Sequence, residues 1–130
     1  MKPKEIVVIL GGGRDSIGII ERVLAAGYLP FVLDRDPLCP AKRLPVYLVA
    51  VSCYERVYGL LALLADCAQF FWEKAERPSI RAVLGGGTDA VDVLADIGAF
   101  FDLVAPSQET ARICSDKFEM MMALLKAGVR

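Results

Sequence analysis

The sequence contains no histidine among its 130 residues. Nucleophilic sites of the Ser–His and Cys–His types are therefore excluded, as are imidazole ligands to a metal. Four cysteines are present, but none forms the C-x-x-C pair that zinc sites and thioredoxin-type redox sites use. Cys39 lies in a proline-rich loop, which predicts an exposed thiol, whereas Cys67 and Cys114 lie on apolar helical faces and are predicted to be buried.

Strong charge and long apolar runs are also lacking. The net charge is −1, so the chain has no basic field that could hold nucleic acid. No apolar run reaches the roughly 20 residues that cross a membrane, and the apolar stretch near the amino terminus is too short for a signal peptide. We therefore expect a single domain in the cytoplasm, with neither a nucleic acid nor a membrane as its partner.

The chain is organised around a glycine turn between two strands. Residues 6–10 are all apolar, as in a strand that helices cover on both faces. Residues 11–13 are all glycine, and an apolar pattern at helical spacing follows, which Asp15 or Ser16 could cap. A second apolar strand ends at Asp34.

This glycine turn has more than one interpretation. A turn that leads into a helix presents free N–H groups and the positive end of the helix dipole, which together favour an anion. The alternative is that the glycines only make the turn tight. The dinucleotide fingerprint G-x-G-x-x-G is met in part, since Gly11 and Gly13 match and Ser16 occupies the third place. Asp34 follows about 20 residues later, where such domains carry a ribose-binding acid. A nicotinamide-binding module is therefore a rival interpretation.

A second unit of strand, glycines and helix begins at residue 80. Residues 80–84 are predicted to form a strand, and Gly85, Gly86 and Gly87 follow it directly. In a doubly wound sheet the first and fourth strands are neighbours at the topological switch point, where ligands bind. We therefore predict that the two glycine turns face each other across one crevice.

The remaining elements complete an α/β pattern. A third strand is predicted at residues 46–51, a long helix at 54–77 and a short fifth strand at 100–104. Ser107 is predicted to cap a last helix, whose apolar stripe a following domain or a second copy in a homodimer would cover. The stripe consists of Ala111, Cys114, Phe118, Met121 and Leu125. The pattern predicts a three-layer α/β Rossmann-like domain with a mostly parallel sheet of four to five strands.

Two segments resemble the start and the end of the N-terminal domain of ATP-grasp enzymes. One is residues 7–37, VVILGGGRDSIGIIERVLAAGYLPFVLDRDP. The other is residues 105–129, APSQETARICSDKFEMMMALLKAGV, in which a proline–serine helix start leads to Asp116 and Lys117. The resemblance implies that residues 1–106 form the Rossmann-like N-terminal domain. Residues 107–130 would then link it to an ATP-grasp domain in cis, which this sequence does not contain.

The resemblance implies an ATP-dependent ligase, in which a carboxylate becomes an acyl phosphate and an amine or a similar nucleophile displaces the phosphate. ATP and Mg²⁺ would be bound mainly by the ATP-grasp domain, so no cofactor is expected for this chain. The isolated chain would be catalytically incomplete. Its expected partners are that domain and a small-molecule carboxylate or phosphate substrate.

The resemblance places the substrate at the two glycine turns. The matching positions are Gly11, Gly12, Gly13, Arg14, Asp15, Ser16, Gly87, Thr88 and Asp89. The N–H groups of residues 12–16 are expected to donate to a substrate anion that Arg14 clamps. Asp89 is expected to face an amine or hydroxyl, although it could simply charge its helix N-terminus. A regulatory receiver domain is a further alternative, but no acid stands within or just after residues 46–51.

Overall fold

A computed structural model describes residues 5–50, 80–85 and 91–128. Its sheet has four strands in the order β3-β2-β1-β4, and every neighbouring pair is parallel. The strands are β1 (Ile6–Leu10), β2 (Leu29–Asp34), β3 (Tyr47–Ala50) and β4 (Ile80–Gly85). The helices are α1 (Ile17–Ala25), α2 (Val91–Phe100), α3 (Gln108–Ser115) and α4 (Lys117–Lys126), and two short 3-10 helices span Arg14–Ser16 and Pro40–Arg43.

Helices cover the sheet on both faces, which explains why its central strand is apolar throughout. Alternate side chains of a strand point to opposite faces. Ile6, Val8 and Leu10 belong to a core that includes Val93 and Ile97 of α2. Their neighbours in β1 belong to a second core, which α1 and the Pro40–Arg43 helix complete. The predicted three-layer α/β fold is confirmed.

The register of the strands brings their carboxyl ends to one edge of the sheet. Leu10, the last residue of β1, pairs with Leu33 on one side and with Gly85 on the other. The sequence order reverses between β1 and β4, so this pair forms the topological switch point that the glycine pattern predicted.

The predicted fifth strand is wrong. Helix α2 continues to Phe100, and the chain then turns through Asp102, whose φ is 54°. The N–H of Leu103 donates to the Gly98 carbonyl at 2.7 Å, and Leu103 and Ala105 pack against the α2 core. This short run therefore packs at a helix end rather than in the sheet, and its partly buried members are Phe101 and Leu103.

The last helix is correctly predicted at its start but not along its length. Ser107 caps α3, with its hydroxyl accepting from the N–H of Thr110 at 3.0 Å. Asp116 then adopts an extended conformation, and its carboxylate accepts from the N–H groups of Phe118 and Glu119, so that a separate helix α4 begins. Arg112 of α3 forms an ion pair with Glu119 across this break.

The predicted apolar stripe is largely uncovered in the described part of the chain, and its covering by a following domain or a second copy stays a prediction. Only Ala111 is buried, whereas Phe118 is 66% exposed and Met121 and Leu125 are more than half exposed. The break at Asp116 gives α4 a direction of its own, so one continuous stripe is not formed. The predicted helix at 54–77, with Cys67, lies outside the described residues. Among the ranges that are described, no helix is long and apolar enough to cross a membrane.

The contact between Gly98 and Ala105 can be tested by mutation. A Cβ at Gly98 would lie 2.4 Å from the Ala105 Cβ, so Gly98→Ala should destabilise the fold by about 1–3 kcal/mol in urea unfolding. Adding Ala105→Gly should recover part of that loss. The matched control is Gly18→Ala in α1, where nothing lies within 4 Å and a gain of about 0.5–1 kcal/mol is expected. A Gly98→Ala variant as stable as the wild type would contradict this packing.

Candidate functional site

The candidate site is the turn that joins β1 to the Arg14–Ser16 helix. Gly11 begins it with a φ of 89°, a conformation that side chains other than glycine rarely adopt. Its N–H donates to the Leu33 carbonyl at 2.8 Å, which continues the β1–β2 ladder by one residue. Gly11 is therefore required by the backbone geometry of the turn.

Gly12 is required for a different reason, which is close packing. A Cβ at this position would lie 2.7 Å from the Cys39 Sγ and 2.9 Å from both the Ala41 Cβ and the Val32 Cγ1. The Gly12 carbonyl also accepts from the Ala41 N–H at 2.9 Å. The loop after β2 thus lies directly against the turn, and only glycine leaves room for it.

Gly13 has neither requirement. Its φ of −72° and ψ of 179° are open to any residue, and a Cβ built on it meets nothing within 4 Å. The space beside Gly13 is open and lies at the carboxyl edge of the sheet. A glycine without a structural role suits a place where a ligand comes close to the backbone.

The hydrogen bonds of the turn reduce the set of predicted donors. The Gly12 N–H already donates to the Asp34 Oδ2 at 2.8 Å, and the Ser16 N–H donates to the Gly13 carbonyl at 3.0 Å. The N–H groups of residues 13–15 donate to no acceptor among the described residues. The predicted set of donors, the N–H groups of residues 12–16, is therefore reduced to those of residues 13–15.

The predicted helix cap is also corrected. Ser16 occupies the N-cap position of α1, but its side chain makes no capping hydrogen bond. Its side chain is fully buried instead. Asp15 lies within the 3-10 helix rather than at the cap, and it is exposed. Arg14, the predicted clamp, is likewise exposed, and its side chain has no ion pair with a described residue.

Asp34 holds the glycine turn in place, a role that the sequence did not reveal. Its Oδ2 accepts from Gly12, and its Oδ1 accepts from the Asp36 N–H at 2.9 Å. The carboxylate therefore fastens the end of β2 to the glycine turn. The only sequence signal was its position after a buried strand, which was equally consistent with a ribose-binding acid.

The second glycine turn is described only at its beginning. Gly87, Thr88 and Asp89 lie outside the described residues, so their predicted roles stay predictions. Gly85 does lie beside Leu10 in the parallel β1–β4 pair. The two turns consequently leave the sheet from neighbouring strands at the same edge.

The burial of the two described cysteines is the reverse of the prediction. Cys39 is buried at 3% exposure because the Pro40–Arg43 helix folds it onto Gly12, and Cys114 is exposed on α3. Burial raises the pKa of the Cys39 thiol, and the charge of the nearby Asp34 raises it further. No group of histidine, cysteine or acidic residues in the described part of the chain could hold a metal ion.

Solved structures that are similar to this chain over nearly its whole length include two synthetases, while no family model and no curated protein matches it. Phosphoribosylglycinamide synthetase from Anaerococcus prevotii matches with a TM-score of 0.70 at 20% identity, covering 96% of this chain and 29% of that chain. N5-carboxyaminoimidazole ribonucleotide synthetase from Thermotoga maritima matches with a TM-score of 0.66 at 19% identity, covering 95% and 31%. The chain thus spans about three-tenths of the length of either.

The chain shares the fold of the matched parts of these two synthetases. At this level of identity the likeness establishes the architecture, and an activity has to rest on the site itself. The Rossmann-like α/β fold that the resemblance of the two sequence segments implied is confirmed.

The burial of Cys39 predicts a difference in thiol reactivity. With iodoacetamide near neutral pH, peptide mass spectrometry should show Cys114 alkylated at least about tenfold faster than Cys39, because only an accessible thiolate reacts. Because the pKa of Cys39 is raised in the folded chain, its thiol loses the proton more readily in the unfolded chain. The free energy of unfolding should therefore fall as the pH rises above the ordinary thiol pKa. Denaturant should equalise the two rates. Equal rates in the folded protein would contradict the burial of Cys39.

Proposed function

We propose that this chain is the substrate-side domain of an ATP-dependent ligase. In this proposal residues 1–106 form the domain, and residues 107–130 lead to an ATP-grasp domain that binds ATP and Mg²⁺. The exposed apolar face of α4 is the surface that such a domain, or a second copy of the chain, would cover. The fold likeness to two synthetases supports this general kind of function.

The observation that carries the proposal is the group of three central amides beside the open space at Gly13. The N–H groups of residues 13–15 follow the carboxyl end of β1, whose last residue pairs with Gly85 of β4, and they donate to no acceptor among the described residues. Free backbone amides at the start of a helical turn favour an anion even without a charged side chain. The turn therefore suits a phosphate or carboxylate of a substrate, with Arg14 within the same turn as a second contact.

The names of the two similar synthetases suggest which anion to test. Both refer to a compound that carries a ribose phosphate. We infer that the first turn holds the phosphate of a sugar phosphate, while Asp89 in the second turn faces an amine or hydroxyl of the same molecule. The reaction would convert a carboxylate to an acyl phosphate, which the amine then attacks. This chain would bind and orient the substrate and supply no catalytic residue.

Two features argue against the nicotinamide-binding alternative. Ser16 stands where the dinucleotide turn needs a third glycine, and its side chain is fully buried. Asp34, the residue at the position of the ribose-binding acid, uses one oxygen to hold Gly12 and the other to hold Asp36. The turn is thus arranged around an internal carboxylate rather than left open for a ribose.

Ribose 5-phosphate is the probe that tests this function. Wild-type chain should bind it saturably in calorimetry, and Gly13→Ala should weaken binding at least about tenfold, which is about 1.4 kcal/mol, because the new Cβ enters the open space. The variant should keep its stability, since its φ is acceptable for alanine. Gly18→Ala is the matched control and should bind like the wild type.

Two further titrations separate this function from its alternatives. Mg-ATP should show no binding tighter than about millimolar, which is about −4 kcal/mol, because its site lies in another domain. NADH should give no saturable fluorescence change. Micromolar affinity for either nucleotide, or equal ribose 5-phosphate binding by the Gly13→Ala variant, would overturn the assignment.

A further inference from the structure

Helix α4 gains very little stability from burial. None of its residues is buried, and only Glu119 and Ala123 are partly buried. Among the described elements it packs against α3. Its six large apolar side chains are 37% to 66% exposed, and they are Phe118, Met120, Met121, Met122, Leu124 and Leu125. Most helices in proteins are stabilised by packing of an apolar face, so α4 has to be held by other means.

Local hydrogen bonds at its two ends hold α4. The Asp116 carboxylate accepts from the N–H groups of Phe118 and Glu119 at 2.9 and 3.1 Å. At the other end Gly128, with a φ of 82°, donates to the last turn at 3.0 Å. The ion pair of Glu119 with Arg112 is exposed and contributes little. With ten residues, α4 is also shorter than the roughly 12–15 residues that an isolated helix needs in water.

Helix α3, by contrast, is anchored in the domain. It packs against α2, and its Ala111 is only 1% exposed. The side chain of Gln108 also donates to the Asp96 carboxylate of α2 at 2.8 Å. Asp116 lies between α3 and α4 with a φ of −112° and a ψ of 113°, so the helical conformation stops there. One extended residue thus separates a helix that is fixed to the domain from a helix that is not.

We propose that α4 is a hinged element, which opens at Asp116 while α3 and the sheet stay folded. Opening removes few contacts because α4 buries no side chain, and segments with few buried contacts open at the lowest free energy. The glycine turn lies at the carboxyl edge of the sheet and does not take part in this motion. The inference rests on the packing of α4 and is independent of the proposed ligase substrate.

The test is amide hydrogen exchange by NMR on the whole chain, at a concentration where sedimentation shows a monomer. We expect the amides of residues 121–126 in α4 to exchange at least about a hundredfold faster than those of β1, which exchange only when the domain unfolds. Low concentrations of urea should speed exchange steeply in β1 and hardly at all in α4, because opening α4 exposes little new surface. Equal rates with an equal dependence on urea would overturn the hinge.

Two sets of variants separate the hinge from the core. Ile9 is fully buried in the core that α1 completes, so Ile9→Val should speed exchange in β1 about twofold to tenfold and leave α4 unchanged. Asp116→Ala removes the cap and should speed exchange in α4 about fivefold, whereas Asp116→Asn is the matched control that still caps and should exchange like the wild type. Exchange in α4 that follows Ile9→Val, or equal effects of the two Asp116 variants, would overturn the proposal.

Discussion

The hydrogen bond from the Gly12 N–H to the Asp34 carboxylate is the interaction on which the rest of the site depends. It joins the ends of β1 and β2 beyond the last rung of their ladder. The loop after β2 closes over the same point, with Ala41 donating to the Gly12 carbonyl and Cys39 filling the space beside it. Because the Gly12 amide is thereby satisfied internally, only the amides of residues 13–15 remain for a ligand.

The three glycines of the turn consequently have three separate roles. Gly11 provides a backbone angle, Gly12 provides room for packing, and Gly13 leaves space at the surface. The interpretation of the glycines as a tight turn is thus correct for Gly11 and Gly12. The interpretation as a ligand site applies to Gly13 alone. A fold that hosts many functions does not decide between them, so the ligand role of Gly13 stays a prediction.

The sequence was sufficient for the architecture because the apolar runs of β1 to β4 coincide with strands, and glycines follow β1 directly. It did not predict the break at Asp116, where one side chain ends a helix and caps the next, nor the turn after Phe100. The burial of Cys39 and the bond from Gly12 to Asp34 were also missed. The last two features depend on contacts between residues far apart in sequence, such as Gly12 and Ala41, which local patterns do not encode.

In our proposal, an internally fixed turn presents the amides of residues 13–15 to an anion. A crystal structure of the chain soaked in inorganic phosphate tests it most directly. The account predicts a phosphate oxygen within hydrogen-bonding distance of these amides, with the bond between Gly12 and Asp34 still in place. A phosphate bonded to the Gly12 N–H with Asp34 displaced, or an ion bound elsewhere while the turn stays empty, would contradict it.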